Sequence, residues 1–131
     1  MQSAYVPDTG DIVWVQFNPQ AGHEQAGHRP PLVLSPSAYN EMRGMMICCP
    51  MTGQIKGYPF EVIVSQSPAS AVLSDQVKIL DWKVRGAKKK EAVTASVIAE
   101  VKAKIAALLT LYQFGKLYHQ YTHYFAVRQS R

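Results

Sequence analysis

The sequence is poor in cysteine, poor in acid and free of long apolar runs, and each shortage excludes something. Its two cysteines, Cys48 and Cys49, are adjacent in a chain of 131 residues. Neighbouring residues of a strand face opposite sides, so a mutual disulfide is not expected, and one of the pair is expected to pack inward as a small hydrophobe. Adjacency is also the wrong spacing for zinc, whose paired thiolates normally stand two to four residues apart. No apolar stretch approaches the roughly 20 residues needed to cross a bilayer. Met1 to Thr9 has neither the basic start nor the apolar core of a secretory leader. The expectation is therefore a cytoplasmic protein with no membrane contact, no metal and no other cofactor. Internal repeats and low-complexity segments are absent as well.

Acid is outnumbered: nine Asp and Glu stand against fourteen Lys and Arg, a net charge of +5. Much of the excess falls at Lys78, Lys83, Arg85, Lys88, Lys89 and Lys90. Such a surface attracts polyanions, although a solvated loop has the same composition. Few aromatics interleave this run, which fits a phosphate-steering patch better than a base-stacking platform.

With 47% hydrophobic and 18% charged residues, the chain has the composition of a globular domain with one core. Strands are predicted at Ile12 to Phe17, Leu32 to Leu34, Met45 to Cys49, Tyr58 to Val64 and Val77 to Trp82. Ser35-Pro36 reads as an N-cap with proline at N1, opening a short helix to Arg43 that Gly44 stops. From Thr94 to Leu109, a stripe of Val97, Ile98, Val101, Ile105, Leu108 and Leu109 predicts a helix lidding the sheet. Glu100 and Lys104 are spaced as an i,i+4 pair on its polar side. Short strands with a terminal helix imply an α+β, mostly β domain: a small, strongly bent antiparallel sheet closing toward a barrel. The expected domain is 1–109. Residues 110–131 form an atypical aromatic-rich extension, with Tyr112, Tyr118, Tyr121 and Tyr124 beside Phe114 and Phe125.

The densest chemistry lies in Gly22-His23-Glu24-Gln25-Ala26-Gly27-His28-Arg29-Pro30, followed by Pro50-Met51-Thr52-Gly53-Gln54-Ile55-Lys56-Gly57. A carboxylate, imidazoles, a guanidinium and a hydroxyl suit phosphoryl transfer on RNA without a metal. That reaction needs a base for the 2′-OH proton, a stabiliser for the charged phosphorane and an acid for the departing 5′-oxygen. Arg29 forks onto two phosphate oxygens and suits the second role; a salt bridge to Glu24 is its structural alternative. Glu24, His23 and His28 compete for proton transfer, the histidines titrating nearer neutrality. Thr52 offers a hydroxyl to a nonbridging oxygen, or else bonds its own backbone as a turn residue. Gln54 and Lys56 suit a base edge and a phosphate, and Gly53 and Gly57 permit close backbone approach.

These same residues resemble a known family. Tyr5-Val6-Pro7-Asp8, Gly10-Asp11-Ile12-Val13-Trp14-Val15, the Gly22 to Pro30 segment, Leu34-Ser35-Pro36, Lys56-Gly57-Tyr58-Pro59-Phe60-Glu61-Val62, Asp75-Gln76-Val77-Lys78 and Arg85-Gly86-Ala87-Lys88-Lys89 are similar to the MazF/PemK toxins of bacterial toxin–antitoxin systems. The similarity covers about residues 5 to 109. It implies an SH3-like barrel of the kind shared with CcdB toxins, a homodimer, and metal-independent cleavage of single-stranded mRNA at short, ACA-like motifs. The products would be 2′,3′-cyclic phosphate and 5′-OH ends.

The resemblance places catalysis on Glu24, Arg29 and Thr52. It places RNA contacts on Gln16, Phe17, His28, Gln54, Lys56, Gln76 and Lys78. It further implies an acidic antitoxin, MazE-like, that blocks the RNA groove, with DNA engaged only indirectly through the toxin–antitoxin complex. Gln16 and Asn18 stand where acidic residues are usual in the family, and Gly53 where a second threonine is common. A gyrase-inhibiting toxin on the same fold, or a nucleic-acid-binding module that never cuts, is the alternative.

Overall fold

The computed structural model describes residues 5–16 and 29–110. In chain order these form β1 (Asp11–Trp14), β2 (Leu32–Val33), α1 (Ser37–Arg43), β3 (Met46–Cys49), β4 (Met51–Thr52), β5 (Glu61–Gln66), β6 (Ala69–Leu73), β7 (Lys78–Leu80), β8 (Lys88–Ala92) and α2 (Ala95–Leu109). The strands make two antiparallel sheets, one ordered β7-β3-β2-β1-β8 and one ordered β4-β6-β5. β3 ends one residue before β4 begins, so a single turn at Pro50 carries the chain from one sheet to the other. The mostly-β architecture with a C-terminal helix agrees with the sequence reading, the bent sheet being realised as two sheets around a shared core.

That core has two compartments. Ile12, Leu32 and Cys49 from the first sheet meet Met51, Val62 and Val72 from the second, with Val101 of α2 closing the end. On the other face of the first sheet, Val13, Val33, Met46 and Cys48 pack under Trp82, with Tyr5, Val6 and Leu80 around them. The central strands are therefore buried on both faces and read as apolar runs instead of alternating.

The double burial corrects the expectation for the cysteines. Both are fully buried, Cys49 in the first compartment and Cys48 in the second. Burial pushes the Cys48 thiol up to about 11 and the Cys49 thiol up to about 12.

The short helix also starts differently from expectation. Ser35 is not its cap: its hydroxyl donates to Asn40 Oδ1 at 2.5 Å and accepts from the Ile47 amide at 2.8 Å. Pro36 occupies the N-cap position, and a carboxylate from outside the helix, Asp8 Oδ1, accepts the Ser37 N–H at 2.9 Å. The helix stops as expected at Gly44, whose φ of 67° is left-handed and whose N–H returns to the Asn40 carbonyl.

α2 runs from Ala95 behind an N-cap at Thr94, whose hydroxyl accepts the Val97 N–H, an arrangement worth about 1 kcal/mol. Val97, Ile98, Val101 and Ile105 pack onto the core as the stripe requires, but Leu109 is 80% exposed and Ala107 is buried in the last turn instead. Lys104 makes no pair with Glu100; its ammonium donates to the Pro59 carbonyl and ties the helix to the loop before β5.

Three strands escaped the sequence pattern, each for a local reason. β4 has only two residues. β6, Ala-Ser-Ala-Val-Leu, is weak in β-formers. β8, Lys-Lys-Lys-Glu-Ala, is exposed along its whole length and has no apolar face to announce it. It is an edge strand held by its ladder to β1, and lysine is a usual residue for such an edge.

The strand expected from Tyr58 begins only at Glu61, and the fifth shortens to Lys78–Leu80. β1 pairs only through Trp14, and Phe17 lies outside the described residues, as do residues 111–131 of the aromatic extension.

Buried, un-ionised thiols should be inert. In the native protein at pH 8, neither cysteine should react with a thiol reagent such as dithionitrobenzoate over an hour. Both should react within minutes in denaturant. A native thiol titrating at the denatured rate would contradict the packing of β3.

Candidate active site

Arg29 enters the described structure one residue before Pro30, on the segment that leads into β2. Its guanidinium packs against Gly53. A Cβ built on that glycine would stand 2.6 Å from Arg29 Cζ and 2.8 Å from Nε, distances no real side chain tolerates. The missing side chain at residue 53 is thus the seat of the guanidinium. The seat immediately follows Thr52, the last residue of β4. Two residues distant in sequence meet here because β4 sits at the sheet-to-sheet turn while β2 is a central strand.

The Thr52 hydroxyl accepts the Gln54 N–H at 3.1 Å, so the turn-residue reading from sequence is realised. Its own proton points to the Gln54 carbonyl across a longer 3.4 Å. A hydroxyl held by a good acceptor bond and a poor donor bond is oriented, and its proton is readily given to a stronger acceptor such as a phosphoryl oxygen.

Thr52 forms one end of a cleft of about 180 Å³ whose walls include Gln54, Lys56, Tyr58, Phe60 and Gln76. The Tyr58 and Phe60 rings lie 5.0 Å apart, and Lys56 Nζ stands 5.9 Å from the Tyr58 ring. Apolar rings with amide, hydroxyl and ammonium groups at the margin match the chemistry of a nucleobase with its phosphate. A second, smaller cleft borders Arg29, Pro30, Met51, Ser70 and Lys90. Consecutive residues of β4 serve the two clefts, Thr52 the first and Met51 the second.

The cleft wall between residues 54 and 60 has no regular secondary structure, and one buried carboxylate shapes it. Glu61, at the start of β5, accepts the backbone N–H groups of Lys56, Gly57 and Tyr58, the shortest at 2.8 Å. Gly57 adopts a φ of 80°, which allows three successive amides to converge on one acceptor. Asp75, beside Gln76, has its carboxyl raised above the ordinary range, chiefly by burial and further by the charge of Glu61. Sequence reasoning missed the role of Glu61; it anticipated close approach at Gly53, though not that Arg29 makes it. The available signal for Glu61 was an acid placed between Phe60 and Val62 in an otherwise apolar strand.

The residues nominated from sequence are thus partly gathered. Thr52, Gln54, Lys56 and Gln76 share one cleft, while Arg29 lines the other and packs against Gly53, the residue after Thr52. Gln16 and Lys78 line neither cleft. Gln16 follows β1 with its backbone clasped by Arg85, whose carbonyl accepts its N–H at 2.9 Å and whose guanidinium donates to its carbonyl at 3.1 Å. Lys78 is an exposed residue of β7, paired with Cys48. Phe17, His23, Glu24 and His28 lie outside the described residues.

The Arg29 seat generates a direct test. The backbone at Gly53 needs no left-handed conformation, so Gly53→Val should leave the fold intact while its side chain expels the guanidinium. RNA cleavage should fall by about 10- to 100-fold, the cost of misplacing a catalytic group by about an ångström. Wild-type rates in a folded Gly53→Val protein would show that the seat does not matter.

A family model described as PemK-like, MazF-like toxin of type II toxin–antitoxin system matches residues 8–109. The endoribonuclease toxin MazF of Escherichia coli strain K12 is 53% identical over 110 residues, which cover 83% of this chain and 99% of that protein. The endoribonuclease PemK of Escherichia coli is 31% identical over 109 residues, covering 79% of this chain and 82% of that protein. Among solved structures, a MazE–MazF crystal structure from Deinococcus radiodurans (Form-II) superposes with a TM-score of 0.72 at 50% identity, covering 81% of this chain and 97% of the other. With the model spanning residues 8–109 and these identities over nearly the full length of the relatives, the chain belongs to the PemK-like, MazF-like toxins of type II toxin–antitoxin systems.

Proposed function

We propose that this chain, an endoribonuclease toxin of its family, cuts single-stranded RNA at short, ACA-like motifs by a metal-independent transesterification. The observation that carries this reading is the guanidinium of Arg29 packed against Gly53, the residue that follows Thr52, with Arg29 and Thr52 each lining a cleft. A phosphate bound between them would meet an exposed guanidinium and an oriented hydroxyl.

The reaction follows from that placement. The 2′-oxygen gives up its proton to a base and attacks the adjacent phosphorus. Negative charge gathers on the nonbridging oxygens of the phosphorane, where Arg29 and Thr52 stabilise it. The bond to the 5′-oxygen then breaks and that oxygen takes a proton. The products are a 2′,3′-cyclic phosphate and a 5′-hydroxyl. Arg29 serves as the electrostatic stabiliser, since a guanidinium holds its protons too tightly to act as an acid near neutrality. Glu24, His23 and His28 supply the base and the acid in this reading. The cleft of Thr52, Gln54, Lys56 and Gln76 holds a base of the recognition motif, with His28 and Phe17, from the segment before Arg29, contacting RNA in this reading. Gln16 and Lys78, outside the clefts, contact the flanking strand.

The partners proposed from the family are a second copy of the chain and an acidic antitoxin. Relatives of this chain have been crystallised as MazE–MazF complexes, and a chain of net charge +5 complements an acidic partner. DNA is engaged only through such a complex. No helix among the described residues is long and apolar enough to cross a membrane.

Two outcomes are expected. With EDTA present, the purified protein should cut a long single-stranded RNA at discrete sites bearing cyclic phosphate and 5′-hydroxyl ends. Arg29→Ala, folded by circular dichroism, should cut at least about 100-fold more slowly, as loss of one transition-state stabiliser demands. A folded Arg29→Ala that cuts at near wild-type rate overturns the site. Separately, kcat/KM should fall roughly 10- to 100-fold between about 50 and 200 mM salt, because phosphate contacts release counterions. A flat salt profile would remove the basic surface from substrate binding.

A further inference from the structure

The lysine run Lys88-Lys89-Lys90 lacks aromatic neighbours in sequence, but the fold supplies one. β8 pairs with β1 in the register Ile12 opposite Glu91, Val13 opposite Lys89 and Trp14 opposite Lys88. Lys90 has no place in that register: it is the extra residue of a β-bulge. A bulge turns its side chain away from the regular alternation, and here Lys90 Nζ comes to 5.6 Å from the centre of the Trp14 ring. Lys90 also borders the Arg29 cleft, together with Ile12. Trp14 lies two residues beyond Ile12 on β1. Its indole is 53% exposed, unusual for the largest apolar side chain of a strand otherwise wholly buried.

We infer that Trp14, with Lys90 and Lys88, forms a stacking subsite for a nucleobase of the RNA strand flanking the scissile phosphate. An exposed indole provides a flat face on which any base can stack; Lys88 stands opposite it in the strand ladder, and Lys90, whose ammonium pairs with Glu91 at 2.6 Å in the free protein, can exchange that carboxylate for the phosphate linking the base to the cleavage point. The subsite continues the Arg29 cleft through Lys90, so one strand occupies both without a gap. The inference rests on the ribonuclease reading above. It revises the sequence-level view of the basic run from pure steering to steering plus stacking. An acidic protein partner is the competing occupant of this face. Continuity with the Arg29 cleft favours RNA.

The test uses the full chain and a single-stranded RNA oligonucleotide carrying a mapped cut site. A parallel series has an abasic nucleotide at each flanking position in turn. Trp14→Ala should raise KM about 10-fold, within the range for losing one base–aromatic stack, with kcat nearly unchanged. Trp14→Phe should restore most of the loss. Wild type should be impaired by an abasic nucleotide at one particular flanking position, and Trp14→Ala should be indifferent to it.

A non-cleavable 2′-O-methyl version of the oligonucleotide should quench the fluorescence of the wild-type protein, and Trp14→Phe should lose that response. Wild-type KM in Trp14→Ala, or equal sensitivity of both proteins to every abasic position, overturns the inference while leaving the ribonuclease reading intact. Unchanged RNA kinetics together with lost inhibition by an acidic peptide would assign the face to a protein partner and also overturn it. Failure of the wild type to cut any RNA would strike the ribonuclease reading instead, and the 2′-O-methyl binding measurement then decides the subsite by itself.

Discussion

The central strands of the first sheet are packed on both faces, and the placement of most polar chemistry follows from that constraint. Ile12, Leu32 and Cys49 face the second sheet while Val13, Val33 and Cys48 face Trp82, so the middles of β1, β2 and β3 offer little surface for a charged group. The one charge these strands carry, Asp11 at the start of β1, is nearly buried and has its desolvation cost offset by the Tyr5 hydroxyl, the Asp8 amide and Lys89. The functional groups are therefore displaced to the segments that enter and leave these strands. Arg29 precedes β2, Thr52 lies just past the turn that leaves β3, and Lys90 stands on the outer edge strand.

Displacement to the margins would leave such groups loose were they not held by specific devices. Arg29 is held by an absence, since its guanidinium fills the volume a side chain at residue 53 would take. The loop from Gln54 to Phe60 is held by a single carboxylate that collects three backbone amides. Lys104 secures the same loop from the helix side through the Pro59 carbonyl. The bulge at Lys90 aims a cation at the cleft that regular pairing would have sent elsewhere. A rigid core with mobile reagents would be a poor catalyst, and these contacts carry the rigidity of the core outward to the reacting groups.

Much of this was legible in the amino-acid order. The β-branched runs at β1, β2, β3 and β5, the stop at Gly44 and the amphipathic stripe of α2 are local signals, set by φ,ψ preference and by the periodicity of burial. The resemblance to MazF/PemK toxins was equally local, carried by short segments such as those ending at Pro30 and beginning at Lys56. Edge strands were illegible for a physical reason. β8 is lysine-rich and exposed throughout, so no hydrophobic period marks it, and its strand character comes only from hydrogen bonds to β1. The cap of α1 was misread because its acceptor, Asp8, lies far away in sequence.

Sequence alone therefore settled the inventory: a basic, cysteine-poor domain with a guanidinium, a hydroxyl and a carboxylate suited to RNA, and the identity of its family. Tertiary structure decided which of these groups meet. Arg29 reaches Gly53, and Trp14 reaches Lys90, across separations at which chain order carries no distance information. Local propensity is a property of neighbours along the chain, whereas a site is a property of neighbours in space. Only the pairing of strands and the burial of a common core turn the first into the second.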